Sequence, residues 1–222
     1  MHKYAIIVAG GKGERMGAKV PKQFLQLKGK PILMHTIEKF KSTFPDIQII
    51  LALPNNQMDY WEVLCKEHSF TIAHQIVEGG ETRFHSVKNA LTQIDEKGII
   101  AVHDGVRPLV SEKTIRTCFE KATAEGNAIP VIDVVDSLRF LNKQEGSNKA
   151  VPRSCYKSVQ TPQCFQSDLL KKAYQQEFDS TFTDDASVVE KLGKIIHLVE
   201  GNKENIKVTT EEDLIIAEVL LK

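Results

Sequence analysis

The run Ala5-Ile6-Ile7-Val8-Ala9 is apolar throughout and passes directly into Gly10 and Gly11. A short, continuously apolar run suits a strand covered on both faces, the situation of a strand inside a parallel sheet. Runs of the same kind return at Ile47 to Leu53, near Ile72 to Val77, at Ile99 to Val102 and near Ala128 to Ile132. Helical stretches lie between them. Pro31 opens one in which Leu33, Ile37, Phe40 and Phe44 fall at spacings of four, three and four, the stripe of an amphipathic helix. Others run from Ser86 to about Ile94 and from Ser111 to about Ala124. Strand and helix in alternation predict an α/β fold built on a doubly wound, mostly parallel sheet. At 222 residues we expect one domain, residues 1–222, with an appendage.

The appendage is residues 134–157. There the alternation lapses, and the polar stretch Asn142 to Lys149 is flanked by short β-compatible runs between Val134 and Ser158. That pattern predicts a protruding hairpin arm. The compact pattern resumes at Val159, with helices after Ser167 and Thr183, strands near Ile195 to Val199 and Ile206 to Val208, and a closing helix from Glu211.

Several classes of function are disfavoured. Lys plus Arg and Asp plus Glu both number 29, so no global basic field draws in nucleic acid, and an anion site must be a local cluster. The longest apolar stretches fall far short of the ~20 residues that span a bilayer. The start, Met1-His2-Lys3-Tyr4, lacks a secretory signal, and a cytoplasmic location is expected. Cys65, Cys118, Cys155 and Cys164 form no C-x-x-C pair, which points to reduced structural thiols. No H-E-x-x-H or G-x-S-x-G occurs, leaving zinc hydrolysis and a hydrolase triad without support.

The first strand continues as Ala9-Gly10-Gly11-Lys12-Gly13-Glu14-Arg15-Met16-Gly17. Glycines let backbone N–H groups crowd against phosphate oxygens, and a following helix N-terminus adds positive charge. The spacing matches neither the P-loop nor the dinucleotide fingerprint G-x-G-x-x-G. By itself the loop is a triphosphate cradle or merely a tight strand-to-helix turn. Arg15 and Pro21-Lys22-Gln23 then place two permanent cations beside it.

This opening, G-G-x-G-x-R-M-G followed by P-K-Q, resembles that of the nucleotidyltransferases. Further pieces, in the same order, narrow the resemblance to the 2-C-methyl-D-erythritol 4-phosphate cytidylyltransferases of the non-mevalonate isoprenoid pathway. They are Glu78-Gly79-Gly80-Glu81-Thr82-Arg83-Phe84-His85-Ser86-Val87, Val102-His103-Asp104-Gly105-Val106-Arg107-Pro108, Gln160-Thr161-Pro162-Gln163-Cys164-Phe165, Thr183-Asp184-Asp185-Ala186-Ser187, and Glu200-Gly201 through Asn205-Ile206-Lys207-Val208-Thr209. The resemblance implies a Rossmann-like nucleotidyltransferase fold and transfer of the cytidylyl group of CTP to a sugar-alcohol phosphate, with release of pyrophosphate.

The residue types suit that chemistry. A phosphate monoester has a second pKa near ~6, so the nucleophile is already largely dianionic and needs no general base. What the protein must supply is positive charge and in-line positioning. By resemblance Arg15 and Lys22 stabilise the transition state, and Lys207 helps place the attacking phosphate. Ala9, Gly10, Gly11 and Gly13 hold the nucleotide. Gly79, Gly80 and Ser86 read the cytosine, Ser86 being alternatively a helix N-cap. Asp104 binds CTP through Mg²⁺, or else caps the turn into Arg107-Pro108; His103 reads as a packed strand residue. Arg107, Ser137, Arg153, Thr161 and Thr183 contact the polyol phosphate, and the arm of one subunit completes its partner's site in a homodimer. The chain departs from the family pattern at Ser137, where Thr is usual, at Arg139, where Lys is usual, and at Glu204, where Asp is frequent.

Two other substrates or roles compete: a cytidylyltransferase acting on ribitol 5-phosphate, and a non-catalytic nucleotide-binding module. Arg83-Phe84-His85-Ser86-Val87 and Thr183-Asp184-Asp185-Ala186-Ser187 favour methylerythritol phosphate. A nicotinamide-dependent oxidoreductase would want an acid near the end of the second strand, which here reads Leu53-Pro54-Asn55-Asn56.

Overall fold

The structure is a computed structural model and describes residues 1–10 and 20–221. Gly11, Gly13 and Arg15 lie outside the described residues.

The apolar run forms β1 (His2–Val8), an interior strand of the main sheet. β4 (Gln48–Leu53) pairs with it in parallel on one side, and β5 (Gln75–Glu78) pairs in parallel with β4. On the other side β1 pairs in parallel with β6 (Gly98–Asp104), a strand buried along its whole length. The strand order therefore reverses between β1 and β6, and open α/β sheets bind ligands at the carboxyl ends of strands at such a switch point. Beyond β6 lies β11 (Gln163–Gln166), antiparallel to β6 and to β7 (Asn127–Asp133). β10 (Lys157–Val159) runs antiparallel to β7, and β12 (Leu198–Glu200) parallel to it. Among the described residues the main sheet has eight strands.

Helices cover both faces. α1 (Ile32–Thr43), α2 (Asn55–Glu67) and α4 (Glu112–Glu125) pack on one core, which includes Phe24, Leu33, Phe40, Trp61 and Phe119. α3 (Arg83–Leu91), α5 (Ser167–Ala173) and α6 (Asp185–Glu190) pack on the other, around Phe84, Phe165 and Tyr174. α7 (Glu211–Leu220) closes the chain behind a Thr210–Asp213 capping box. A short pair, β2 (Gln26–Leu27) and β3 (Lys30–Pro31), precedes α1. The polar stretch forms a separate antiparallel hairpin, β8 (Leu138–Asn142) with β9 (Ser147–Val151), which among the described residues pairs with no other strand.

Four expectations are corrected. α3 begins at Arg83 and not Ser86, because Thr82 takes the cap by accepting from the His85 amide; Ser86 is therefore not an N-cap. Residues 206–208 form no strand, since among the described residues their only backbone bond to a neighbouring element runs from the Val208 amide to the Val106 carbonyl. The strand expected near Ile72 starts at Gln75, and the one expected near Ile195 starts at Leu198, each where pairing to β4 or β7 begins. α2, absent from the sequence reading, buries only Trp61 and Leu64, too narrow a stripe to stand out beside the turn-like Pro54-Asn55-Asn56.

Candidate active site

β1 ends at Val8 directly beside Asp104, the last residue of β6. Asp104 is buried, and three cations surround its carboxylate. Lys207 Nζ lies 3.0 Å from Oδ2, Arg107 Nε 3.2 Å from the same oxygen, and Arg83 Nε 3.7 Å from Oδ1. Burial works to raise the Asp104 pKa, but Arg83, Lys207 and Arg107 outweigh it and hold the carboxyl well below the usual carboxylate range. Asp104 is thus ionised at neutral pH.

Two clefts meet at this carboxylate. The first is lined by Ala9, Gly10, Lys22, Gly79, Gly80, Ser86 and, at the junction, Arg83, Asp104 and Lys207. The second is lined by Arg107, Thr161 and Thr183 together with the same three junction residues. The nucleotide residues expected from the sequence and lying within the described part of the chain therefore gather in one cleft, with Lys22 and Lys207. Of the five expected polyol residues the structure brings together Arg107, Thr161 and Thr183. Ser137 and Arg153 are exposed on the hairpin side and line neither cleft; Arg153 donates to the Val135 carbonyl of its own chain. Glu204 also lines neither cleft, and it accepts from Asn202 Nδ2 at 3.2 Å.

Local packing explains the placement. The Gly79-Gly80 turn joins β5 to α3. A Cβ on Gly80 would stand 2.3 Å from the Cβ of His85 in the helix behind it, so a side chain there would displace the loop. The Gly80 amide donates to Ser86 Oγ at 3.0 Å, and that hydroxyl donates to the Thr82 carbonyl at 3.0 Å. Ser86 therefore anchors the glycine turn from inside α3 and retains an acceptor lone pair. Lys22 opens a 3₁₀ turn, Lys22–Phe24, whose next residue, Gln23, is fully buried. Gln23 Nε2 donates to the Ala9 carbonyl at 2.8 Å, tying the turn that carries Lys22 to the end of β1.

Lys207 is held by a buried amide cluster. Asn205 Nδ2 donates to the Thr161 carbonyl at 2.8 Å, and Gln160 Nε2 donates to the Asn202 carbonyl at 2.9 Å. Arg107 Nη1 donates to the Asn205 carbonyl at 2.8 Å, fastening the segment around Lys207 to the turn after β6.

Arg83 belongs to the Glu78 to Val87 motif, but the sequence alone assigns it no role. Its guanidinium makes a bidentate pair with the buried Asp185, at 2.9 and 2.6 Å, and Tyr174 donates to the same carboxylate at 2.6 Å. Burial alone would lower the Arg83 pKa, but Asp185 more than compensates and keeps the guanidinium charged. Arg83 thereby links the glycine turn to α6, whose capping segment carries Thr183. Only its place in the Glu78 to Val87 motif hinted at this, because its partner is 102 residues away.

Asp104 could hold a magnesium ion: it is an ionised carboxylate where two clefts meet, and among the described residues Oδ1 is its less crowded oxygen. Mg²⁺ commonly takes one or two protein carboxylates and completes its shell with waters and substrate phosphates. Among the described residues no three His, Cys, Asp or Glu side chains form a metal cluster, so substrate oxygens would have to supply the remaining ligands.

Comparison with known proteins sets this geometry in context. A family model described as 2-C-methyl-D-erythritol 4-phosphate cytidylyltransferase matches residues 3–222. The protein of that name from Bacteroides fragilis is 55% identical over 221 residues, covering 100% of both chains. The crystal structure of 4-diphosphocytidyl-2C-methyl-D-erythritol synthase from Anaerococcus prevotii superposes with a TM-score of 0.84 at 26% identity, over 99% of this chain and 96% of that one. The Thermus thermophilus 2-C-methyl-D-erythritol 4-phosphate cytidylyltransferase does so with a TM-score of 0.79 at 32% identity, over 99% and 98%.

Proposed function

The chain belongs to the 2-C-methyl-D-erythritol 4-phosphate cytidylyltransferase family, and from that premise we propose that the two clefts joined at Asp104 are its nucleotide and polyol-phosphate sites. It is a nucleotidyltransferase that moves the cytidylyl group of CTP onto 2-C-methyl-D-erythritol 4-phosphate in isoprenoid precursor biosynthesis. A phosphate oxygen of the polyol phosphate bonds to the α-phosphorus of CTP, the bond from that phosphorus to the bridging oxygen breaks, and pyrophosphate leaves. The observation that carries the site assignment is the sharing of Arg83, Asp104 and Lys207 by both clefts, which supports a meeting point of two anionic substrates inside a cluster of cations.

In this reading Ala9, Gly10, Gly11 and Gly13 hold the triphosphate, and Gly79, Gly80 and Ser86 hold the base. Arg15 and Lys22 meet charge that builds up in the transition state, while Lys207 and Arg107 draw in the second phosphate and Thr161 and Thr183 contact the polyol. Asp104 would hold Mg²⁺, which when bound offsets triphosphate charge and helps fold the chain of phosphates. Ser137 and Arg153 serve a partner's site. Support for a homodimer comes from their lining neither cleft of their own chain and from the exposed Val135, Phe140, Leu141 and Tyr156 on and beside the hairpin. A cytoplasmic location goes with the family's small phosphorylated substrates; no described helix is long and apolar enough to cross a membrane.

Two variants separate the clefts. Gly80→Ala should weaken CTP binding by about tenfold or more in calorimetry without the second substrate, because the added methyl displaces the turn. Thr183→Val should raise the KM for the polyol phosphate by about tenfold, the loss of one hydrogen bond, and leave CTP binding unchanged. Equal effects of both variants on both substrates would contradict the division.

A further inference from the structure

His103 is fully buried one residue before Asp104, edge-on to Phe40. Both its ring nitrogens are engaged. Nε2 lies 3.1 Å from the Arg107 carbonyl oxygen, and Nδ1 lies 2.9 Å from Thr161 Oγ1. A carbonyl oxygen only accepts, so in the neutral ring Nε2 carries the proton and Nδ1 is the acceptor. The one hydroxyl proton of Thr161 is therefore spent on His103. One of its lone pairs is taken as well, by the Asp104 amide at 3.2 Å. What Thr161 Oγ1 has left is a single acceptor position, on a residue that lines the second cleft.

We propose that His103 is a positioning residue which fixes Thr161 as a hydrogen-bond acceptor, so that Thr161 meets a hydroxyl of the polyol and turns its phosphate away toward Lys207 and Arg107. The reasoning is one of donor and acceptor balance. A phosphate dianion carries no proton to give, and its oxygens would face an oxygen lone pair at Thr161. A polyol hydroxyl can donate there. The ring thus makes one wall of the cleft selective for a donor, and the same ring ties the Arg107 turn to β6, where the cations that suit the phosphate are found. This rests on reading the second cleft as the polyol-phosphate site.

The test combines spectroscopy on the unmodified protein with a variant series. Nitrogen-15 NMR of histidine-labelled protein should show the His103 ring as the Nε2–H tautomer; an Nδ1–H tautomer overturns the proposal without any activity measurement. His103→Gln keeps a donor near the Nε2 position but offers no acceptor to Thr161. It should raise the KM for the polyol phosphate by about tenfold, the scale of one hydrogen bond, with CTP affinity unchanged by calorimetry. His103→Asn keeps an acceptor at the Nδ1 position and should recover most of that loss. In a Thr161→Val background His103→Gln should add nothing further, since the hydroxyl it positions is gone. Multiplying effects, or equal loss of CTP affinity in His103→Gln, would make the ring a packing residue and overturn the proposal. Lys207→Ala is the control for the cleft. If it leaves the polyol KM unmoved, the cleft reading fails and takes this inference with it; if it raises the KM while His103→Gln does not, only the role of His103 fails.

Discussion

Burial of an imidazole beside a charged cluster has a consequence for stability as well as for positioning. Burial pushes the His103 pKa down to about 4 from an ordinary 6.5. Between those values the unfolded chain binds a proton that the folded one refuses, so stability falls as pH drops from 6.5 toward 4 and this contribution levels off below. Across that window the loss is on the order of a few kcal/mol. Denaturant melts of metal-free protein at pH 7.5 and pH 4.5 should therefore differ more for the wild type than for His103→Asn, which has no proton to take up. Identical pH dependence in the two would mean that the ring is not held neutral. At this scale the sequence was informative wherever a residue's type and motif sufficed: Lys22, Gly80, Asp104 and Lys207 do line the clefts. It offered no role for Arg83 or Gln23 and only a packed strand position for His103, since their work depends on Asp185, the Ala9 carbonyl and Thr161. Those partners adjoin only after folding.

Among the elements, those with a full apolar stripe or a continuously apolar run were legible, α1 and β1 above all. β11 was not, because its sequence Gln163-Cys164-Phe165-Gln166 has polar ends, and Gln163 becomes a core residue only through bonds to the Ala186 amide and Asp184. The β8–β9 hairpin is legible as a turn-rich interruption, but its meaning lies in what it leaves unburied. Phe140 is 53% and Leu141 63% exposed, and an isolated two-stranded hairpin is marginal in water. Replacing residues 134–154 with a short Gly-Ser linker spares β10, which begins at Lys157. The product should sediment as a folded monomer that still binds CTP and has lost turnover along with Arg153. A truncated protein that remains dimeric would place the subunit interface elsewhere.

For the molecule as a whole, the sheet order fixes where chemistry can occur. The reversal between β1 and β6 opens a crevice, Asp104 closes the end of β6 at that point, and loops from β5, the 161 and 183 segments and the 205–207 segment converge on it. In the proposed reading one crevice presents two anionic substrates to each other across a shared set of cations, and that is the central claim. Its choice of second substrate is the most direct test. Purified protein with CTP and Mg²⁺ is given 2-C-methyl-D-erythritol 4-phosphate or ribitol 5-phosphate separately, and pyrophosphate release is followed. We expect release with methylerythritol phosphate and about a hundredfold lower kcat/KM with ribitol phosphate, the scale on which a site shaped for one substrate rejects an analogue that carries an extra hydroxyl. Preference for ribitol phosphate, or CTP binding without release from either, would contradict the account.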